Sequence, residues 1–185
     1  MSDLTAPTFH GRFGAPYRFV PECLSTQKLI GDDDPEGTVV ATDHQTAGRG
    51  RLGRVWEDVP TRSLLVSVLL RPPVPMPLWP ELSLVAGHAV AAAIGHGAEI
   101  RPPNDVFLNG KKVAGILAEA ARPRVVLGIG VNVNHTADEL PADTVKPPTS
   151  LRVELGHETD RVELLVTMLA ELELAYAEWA QPYRR

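Results

Sequence analysis

Asn109-Gly110 lies between two apolar runs, and this pair is the feature that most constrains how the chain can fold. Residues 106–108 precede it and residues 113–118 follow it. Asparagine and glycine both tolerate the positive φ angles of a tight two-residue turn, so the pattern predicts a β-hairpin. Hairpin spacing does not suit the long crossovers of a doubly wound sheet. The sequence therefore predicts an α+β fold in which a mixed or antiparallel β-sheet packs with helices.

Several other segments are consistent with this class. Residues 38–42, 64–70 and 125–134 are expected to be strands, and the two glycines of the last strand indicate close approach by another backbone or a ligand. Residues 82–95 are apolar on nearly all sides and predict a helix packed against the sheet. Asp160 is expected to cap a final helix with an apolar stripe. Residues 1–16 are expected to form a loose lead-in, and residues 101–105 to break regular structure.

A basic, glycine-rich stretch follows the strand at 38–42. Three arginines and three glycines fall within residues 48–54, and a tryptophan closes the stretch at position 56. Glycine lets a backbone approach a ligand closely, and guanidinium groups bind phosphate through paired hydrogen bonds. We call residues 45–56 the arginine–glycine loop. It is interpreted as a mobile anion-binding loop, and the alternative is a solvated basic surface loop.

The overall composition limits the class of protein. The formal net charge is -5, so the arginine cluster is a local feature and general nucleic-acid binding is not expected. The single cysteine excludes an internal disulfide, and the six histidines contain no pair with zinc-helix spacing. We find no apolar run of about 18 residues and no signal-peptide pattern. A chain of 185 residues with these properties predicts one domain, 1–185, of a cytoplasmic enzyme or binding protein.

Three further groups of polar residues allow two interpretations each. Ser25 and Thr26 precede a short helical stretch and are either helix caps or ligand contacts. Lys112 stands just past the hairpin turn, near Asp105, and is either solvent-facing or functional. Asn132 and Asn134 share one face of a strand although asparagine is a poor strand former, so both call for a structural or functional reason.

Four motifs together carry a resemblance to a known family. They are residues 25–27 (Ser-Thr-Gln), the arginine–glycine loop, residues 103–105 (Pro-Asn-Asp) with 112–117, and residues 128–132. In this order and spacing they closely resemble the catalytic domain of biotin protein ligases, over about residues 17–180. Lipoate ligases and octanoyltransferases share the domain but lack this arginine–glycine loop.

The resemblance implies an ATP-dependent, AMP-forming ligase that works in two steps. Biotin and ATP, with magnesium, would give biotinyl-5′-AMP and pyrophosphate. A lysine of a biotin carboxyl-carrier domain would then attack the activated carbonyl and release AMP. The alternatives are a protein ligase for lipoate or another short acid, and a non-catalytic biotin-binding relative.

The resemblance also implies roles for particular residues. Lys112, Arg49 and Arg51 would be catalytic, and Asp105 would orient Lys112 or a magnesium ion. Contacts to biotin or its adenylate are implied for Ser25, Thr26, Gln27, Gln45, Gly48, Arg49, Gly50, Arg51, Trp56, Asn104, Lys112, Gly115 and Asn132. These assignments require Arg51 and Lys112 to share one cavity.

Other features of the chain depart from the family pattern or extend it. Arg101-Pro102 replaces the usual lysine–tryptophan, and Leu52 occupies a position that is often basic. No N-terminal winged-helix domain is expected, so DNA is not an expected partner, and without a long apolar run a membrane is not expected either. No small C-terminal β-barrel domain is expected, and a homodimer is plausible.

The closing of the arginine–glycine loop has an entropic cost. Ordering about ten loop residues costs on the order of 10 kcal/mol. A micromolar ligand supplies only about 8 kcal/mol, so the loop is predicted to close over the adenylate more fully than over biotin.

Overall fold

A seven-stranded β-sheet organises the protein, as seen in a computed structural model that describes residues 2–142 and 144–183. Its strands are β1 (Tyr17–Cys23), β2 (Val39–Gln45), β3 (Ser63–Leu70), β4 (Glu99–Arg101), β5 (Asp105–Leu108), β6 (Lys111–Ala121) and β7 (Arg124–Asn132). Their order across the sheet is β1-β2-β3-β7-β6-β5-β4. Only β1 and β2 pair in parallel, and every other neighbouring pair is antiparallel. The predicted mixed, mainly antiparallel sheet is confirmed.

Helices cover one face of this sheet. They are α1 (Leu82–Ile94), α2 (Leu151–Leu155) and α3 (Arg161–Ala180), and α1 packs against both α3 and β6. Asp160 caps α3 as predicted, because its Oδ1 accepts the backbone N–H groups of Val162 at 2.8 Å and Glu163 at 3.0 Å. In the described chain, 2–142 and 144–183, no helix is long and apolar enough to cross a membrane.

The alternation of side chains along β3 separates the two faces of the sheet. Leu64, Val66 and Val68 join the main core with α1 and α3, whereas Leu69 joins a small cluster with Val126 on the other side. The face opposite the α-helices, here called the open face, therefore buries a much smaller apolar cluster than the helix-covered face. This is the face on which polar residues collect.

The predicted hairpin is present, and it contains one irregularity. Asn109 and Gly110 have φ angles of 50° and 78°, as the turn requires. β5 and β6 then shift register, because Val106 pairs with Ala114 while Phe107 pairs with Lys112. Val113 is thus an extra residue, a β-bulge, which the sequence pattern did not indicate.

The expectation of a loose N-terminal lead-in is wrong for the residues described there. Leu4 and Phe13 are buried in the main core. The Tyr17 hydroxyl donates to the Leu4 carbonyl at 2.7 Å, and Asp3 forms an ion pair with buried Arg161. Polar composition hid these anchors, because Leu4 and Phe13 are separated by mostly polar and small residues and follow no periodic pattern.

The predicted break at residues 101–105 is wrong in part. Arg101 ends β4 and Asp105 begins β5, and the two strands pair as an antiparallel hairpin. Only residues 102–104 form a turn. This hairpin completes the sheet on the side where Lys112 lies.

Candidate active site

A cavity of about 460 Å³, here called the sheet cavity, lies over the open face of the central strands. Its floor contains glycines from two adjacent strands. Gly115 of β6 pairs directly with Gly130 of β7, and Gly128 lies two residues before Gly130 in β7. Without side chains at these positions the floor is flat. A planar group can therefore lie directly on the backbone of the sheet.

The Trp56 ring packs against this flat floor. A Cβ atom at Gly130 would lie 2.7 Å from Trp56 Cε2, and one at Gly115 would lie 3.0 Å from Trp56 Cζ3. At Gly128 the close neighbour is the Gln27 side chain, at 3.0 Å. The prediction was that another backbone or a ligand approaches the two glycines of β7. In the structure, the groups that approach them are side chains.

The arginine–glycine loop folds back on itself as a short hairpin. The Trp56 N–H donates to the Gly48 carbonyl at 3.0 Å, and the Gly50 N–H donates to the Arg54 carbonyl at 2.7 Å. A Cβ atom at Gly48 would lie only 2.3 Å from the Trp56 carbonyl oxygen. Gly48 therefore permits the hairpin, and it does not line the sheet cavity.

This hairpin carries two of the predicted catalytic cations to the cavity. Arg51 Nη1 donates to Asn104 Oδ1 at 3.2 Å. Arg49 forms an ion pair with Glu119, and its Nη2 reaches Gln27 Oε1 at 3.5 Å. Asn104 is neutral and Arg51 has no ion-pair partner in the part of the chain that the structure describes, so its charge is uncompensated there.

Lys112 reaches the same cavity because of the bulge in β6. Strict alternation from Gly115 would put residue 113 on the cavity side and residue 112 on the core side. The extra residue changes this, so that Val113 and Ala114 are both fully buried and Lys112 lines the cavity instead. Arg51 and Lys112 thus share one cavity, as the family assignment requires, and Lys112 is not a solvent-facing turn residue.

Asp105 holds Lys112 and a second lysine. Lys112 Nζ lies 2.7 Å from Asp105 Oδ1, and Lys146 Nζ pairs with Asp105 Oδ2. Burial of the Asp105 carboxyl would raise its pKa, but the hydrogen bonds from the two lysines outweigh burial and lower the pKa. Asp105 is therefore an ionised carboxylate between two ammonium groups.

The residues around Asp105 do not fit a magnesium ion held by the protein. Both carboxylate oxygens are paired with ammonium groups. No group of three or more His, Cys, Asp or Glu side chains with metal-binding geometry occurs in the described part of the chain. Of the two roles expected for Asp105, orienting Lys112 is the one these contacts fit.

The Ser-Thr-Gln motif forms one end of the sheet cavity. Ser25 begins the short 3₁₀ helix Thr26–Leu29 but makes no side-chain capping bond, so the capping interpretation does not hold for it. The Thr26 N–H donates to Gln45 Oε1 at 2.9 Å, and its hydroxyl lies 2.7 Å from that of Ser67. Gln27 Nε2 donates to the Leu117 carbonyl at 3.1 Å, which leaves its carbonyl oxygen facing Arg49.

The predicted asparagines are divided between two cavities. Asn104 Nδ2 donates to the Ile116 carbonyl at 2.7 Å and the residue lines the sheet cavity. Asn132 Nδ2 donates to the Thr149 carbonyl at 3.0 Å and lines a second cavity of about 640 Å³, here called the loop cavity. Asn134 binds the backbone of Thr159 in the same way. Asn132 is the last residue of β7 and Asn134 lies beyond the strand, so the prediction that the two share a strand face is wrong. Each asparagine instead holds a following loop.

The structure thus brings most of the predicted site together and adds one residue. The sheet cavity is lined by Ser25, Thr26, Gln27, Gln45, Arg49, Gly50, Arg51, Trp56, Asn104, Asp105, Lys112 and Gly115. Lys146, which lines both cavities, was not predicted. It lies in a proline-rich connection whose sequence gives no periodic signal, so only the contact with Asp105 reveals it.

Comparisons with known proteins agree with this geometry. Residues 22–135 match the model of the biotin/lipoate A/B protein ligase family. The chain is 40% identical over 168 residues to the bifunctional ligase/repressor BirA of Bacillus spizizenii, covering 84% of this chain and 52% of that protein. It is 41% identical over 155 residues to the biotin--[acetyl-CoA-carboxylase] ligase of Mycobacterium tuberculosis, covering 79% of this chain and 56% of that protein.

A solved structure shows the same fold. The biotin protein ligase from Aquifex aeolicus, in complex with biotin and ATP, superposes with a TM-score of 0.81 at 32% identity, covering 89% of this chain and 72% of that one. The chain spans about half the length of the curated relatives it matches. Because the family model covers more than half of the chain, and these relatives are about 40% identical to it, the chain belongs to the biotin/lipoate A/B protein ligase family.

Proposed function

We propose that this protein activates biotin with ATP to biotinyl-5′-AMP and transfers the biotin to a lysine of a biotin carboxyl-carrier acceptor. The observation that carries the proposal is the convergence of Arg51 and Lys112, from two separate hairpins, on one cavity with a flat glycine floor. The names of the relatives from Mycobacterium tuberculosis and Aquifex aeolicus support the choice of biotin and ATP. Residues 1–185 would act as a single catalytic domain.

In the first step an oxygen of the biotin carboxylate attacks the α-phosphorus of ATP. A bond forms between this oxygen and phosphorus, the bond from phosphorus to the bridging oxygen breaks, and pyrophosphate leaves with the electron pair. The carboxylate is already ionised, so no general base is needed. Negative charge builds up on the α-phosphate, where Lys112, Arg49 and Arg51 would stabilise it. Losing one such donor typically costs about 3 kcal/mol.

The remaining cavity residues would bind and orient the reactants. Leu65 and Leu117 line the cavity beside the glycine floor and suit the largely apolar ring system of biotin. Ser25 and Thr26 offer hydroxyl groups for its ureido end, and the Thr26, Gln27 and Gln45 side chains are also held by hydrogen bonds within the protein. Trp56 would cover the adenylate, and Asn132 would contact the nucleotide from the loop cavity.

In the second step the neutral amine of the acceptor lysine attacks the carbonyl carbon of the adenylate. The new C–N bond forms, the bond between the carbonyl carbon and the phosphate oxygen breaks, and AMP leaves, while the nitrogen gives one proton to water. Closure of the arginine–glycine loop would protect the mixed anhydride from water before this step.

The proposal includes the setting in which the reaction takes place. Magnesium would enter on the phosphates of ATP, because the carboxylate at the site is paired with lysines. ATP as a substrate supports a cytoplasmic location. A homodimer would use an edge of the sheet, where β1 and β4 are the outer strands.

The test is an assay of purified protein with ATP, magnesium and either biotin or lipoate, which follows pyrophosphate release and transfer to a carrier domain. We expect release with biotin only. Lys112→Ala should abolish adenylation yet keep most of the biotin affinity. Lys111→Ala is the matched control, because Lys111 forms an ion pair with Glu154 and lines neither cavity. Unchanged turnover in Lys112→Ala, or release with lipoate alone, would contradict the proposal.

A further inference from the structure

Lys146 is a cation of the site for which no role has yet been given. It lies on the connection between β7 and α2, and Thr144 donates its hydroxyl to the Lys146 carbonyl at 2.7 Å. The neighbouring Pro147 carbonyl accepts the Lys112 N–H at 2.8 Å, and the Lys112 carbonyl accepts the Thr149 N–H at 2.8 Å. The backbone of this connection is therefore attached to β6 next to Lys112, which brings the two ammonium groups to one carboxylate.

The charge around Asp105 is not balanced. One carboxylate faces two ammonium groups, so the cluster of Lys112, Asp105 and Lys146 carries one net positive charge. Arg51 and Arg54 line the same cavity and form no ion pair within residues 2–142 and 144–183, while Glu57 lines only the loop cavity. Such an excess of cations beside a cavity is typical of a site for a polyanion.

The two lysines also differ in position. Lys112 stands on the glycine floor, where a Cβ at Gly115 would touch its Nζ at 3.5 Å. Lys146 lies over the Phe107 ring at 5.7 Å and borders both cavities, and 38% of its side chain is exposed against 28% for Lys112. A leaving group moving from the sheet cavity toward solvent would therefore pass Lys146.

We propose that Lys146 binds the pyrophosphate leaving group of the adenylation reaction, while Lys112 acts at the α-phosphate. The inference rests on the proposed function. In the resting protein Asp105 holds both ammonium groups in place, and the β- and γ-phosphates then take Lys146 as a ligand. Lysine acts here as a mobile point charge, which suits a group that must bind and then release its anion.

The competing interpretation is that Lys146 only neutralises Asp105. In that case its removal would change the position of Lys112 through Asp105. KM would then change by a similar factor for biotin, ATP and pyrophosphate. Direct contact with pyrophosphate instead predicts an effect confined to ATP and pyrophosphate. Biotin-dependent exchange of labelled pyrophosphate into ATP separates the two, because it reports KM for pyrophosphate directly.

The experiment uses the full chain with Lys146→Gln, Lys146→Met, Lys146→Arg and the control Lys111→Gln. We expect Lys146→Gln to raise KM for pyrophosphate and for ATP about tenfold, equivalent to about 1.4 kcal/mol. KM for biotin and Ki for AMP should stay within twofold. Lys146→Arg should recover most of the loss, and Lys111→Gln should match the wild type. Lys146→Met keeps the aliphatic stem over Phe107 and replaces the Gln variant if that one unfolds.

Two results would overturn the assignment of Lys146. One is a change of less than threefold in KM for pyrophosphate in both neutral variants. The other is a matching loss for biotin, AMP and pyrophosphate, which a structural role predicts. Absence of biotin-dependent exchange in the wild-type protein would instead count against the proposed function, so the two failures are distinguishable.

Discussion

Gly130→Ala tests whether the flat glycine floor is needed for closure of the arginine–glycine loop. The added Cβ would lie 2.7 Å from Trp56 Cε2, whereas ordinary contact begins at 3.4 Å, so the two must separate by about 0.7 Å. β7 is paired with β3 and with β6 at this residue, so the backbone there is held on both sides. The Trp56 ring, at the end of a loop, should move instead.

The expected cost follows from overpacking. Forcing an extra methyl group into a packed contact costs about 1–3 kcal/mol. We expect the loop, not the sheet, to carry this strain. The affinity for ligand should therefore fall roughly 5- to 150-fold, while the free energy of unfolding stays nearly unchanged. Calorimetric titration with a non-hydrolysable biotinyl-adenylate analogue measures the affinity, and urea unfolding measures the stability.

Two further variants make this test specific. At Gly31 a Cβ would meet only Asp34 at 3.7 Å, an ordinary contact, so Gly31→Ala should behave as the wild type. In a Trp56→Ala background the clash is absent, and Gly130→Ala should then cause no additional loss. Wild-type affinity in Gly130→Ala, or the same loss without the tryptophan, would refute the reasoning.

Three other predictions address the loop and the stability of the fold. Hydrogen exchange of residues 46–56 should slow more with the adenylate analogue than with biotin, and equal protection would contradict loop closure. Burial lowers the pKa of His135, so its neutral form stabilises the fold and stability should fall as the pH drops below about 6.5. His135→Gln should show a flatter dependence in urea unfolding at several pH values, and an unchanged slope would exclude His135 as the cause. Arg161→Leu leaves the carboxylate of Asp43 without its buried partner and should cost about 3–5 kcal/mol. Arg152 pairs with the exposed Glu158, so Arg152→Leu should cost less than about 1 kcal/mol, and similar losses in both variants would argue against this difference.

The sequence predicted the elements that depend on local chemistry. The turn at Asn109-Gly110 needs two residues that accept positive φ, and the cap at Asp160 needs a side chain that accepts backbone N–H groups. Both are properties of residues close together in the chain. The motif residues of the sheet cavity were found because their order and spacing match a known family.

The remaining features depend on contacts between distant segments. Lys146 lies 41 residues from Asp105, and nothing in its proline-rich neighbourhood indicates that carboxylate. Leu4 and Phe13 are two apolar residues in a polar segment, so their burial follows only from the space left beside α3. The bulge at Val113 is also invisible locally, because one extra valine in an apolar run preserves the β-propensity of the strand.

That bulge makes the position of the Lys112 ammonium depend on whether the residue count is odd or even. The number of residues between the hairpin turn and Gly115 decides whether an ammonium or an aliphatic group faces the sheet cavity. One residue more or fewer would put the valine side chain in the cavity and the lysine side chain in the core. The composition of the strand would be almost unchanged. Among related chains, residue counting in this hairpin is therefore as informative about catalytic competence as the presence of the lysine itself.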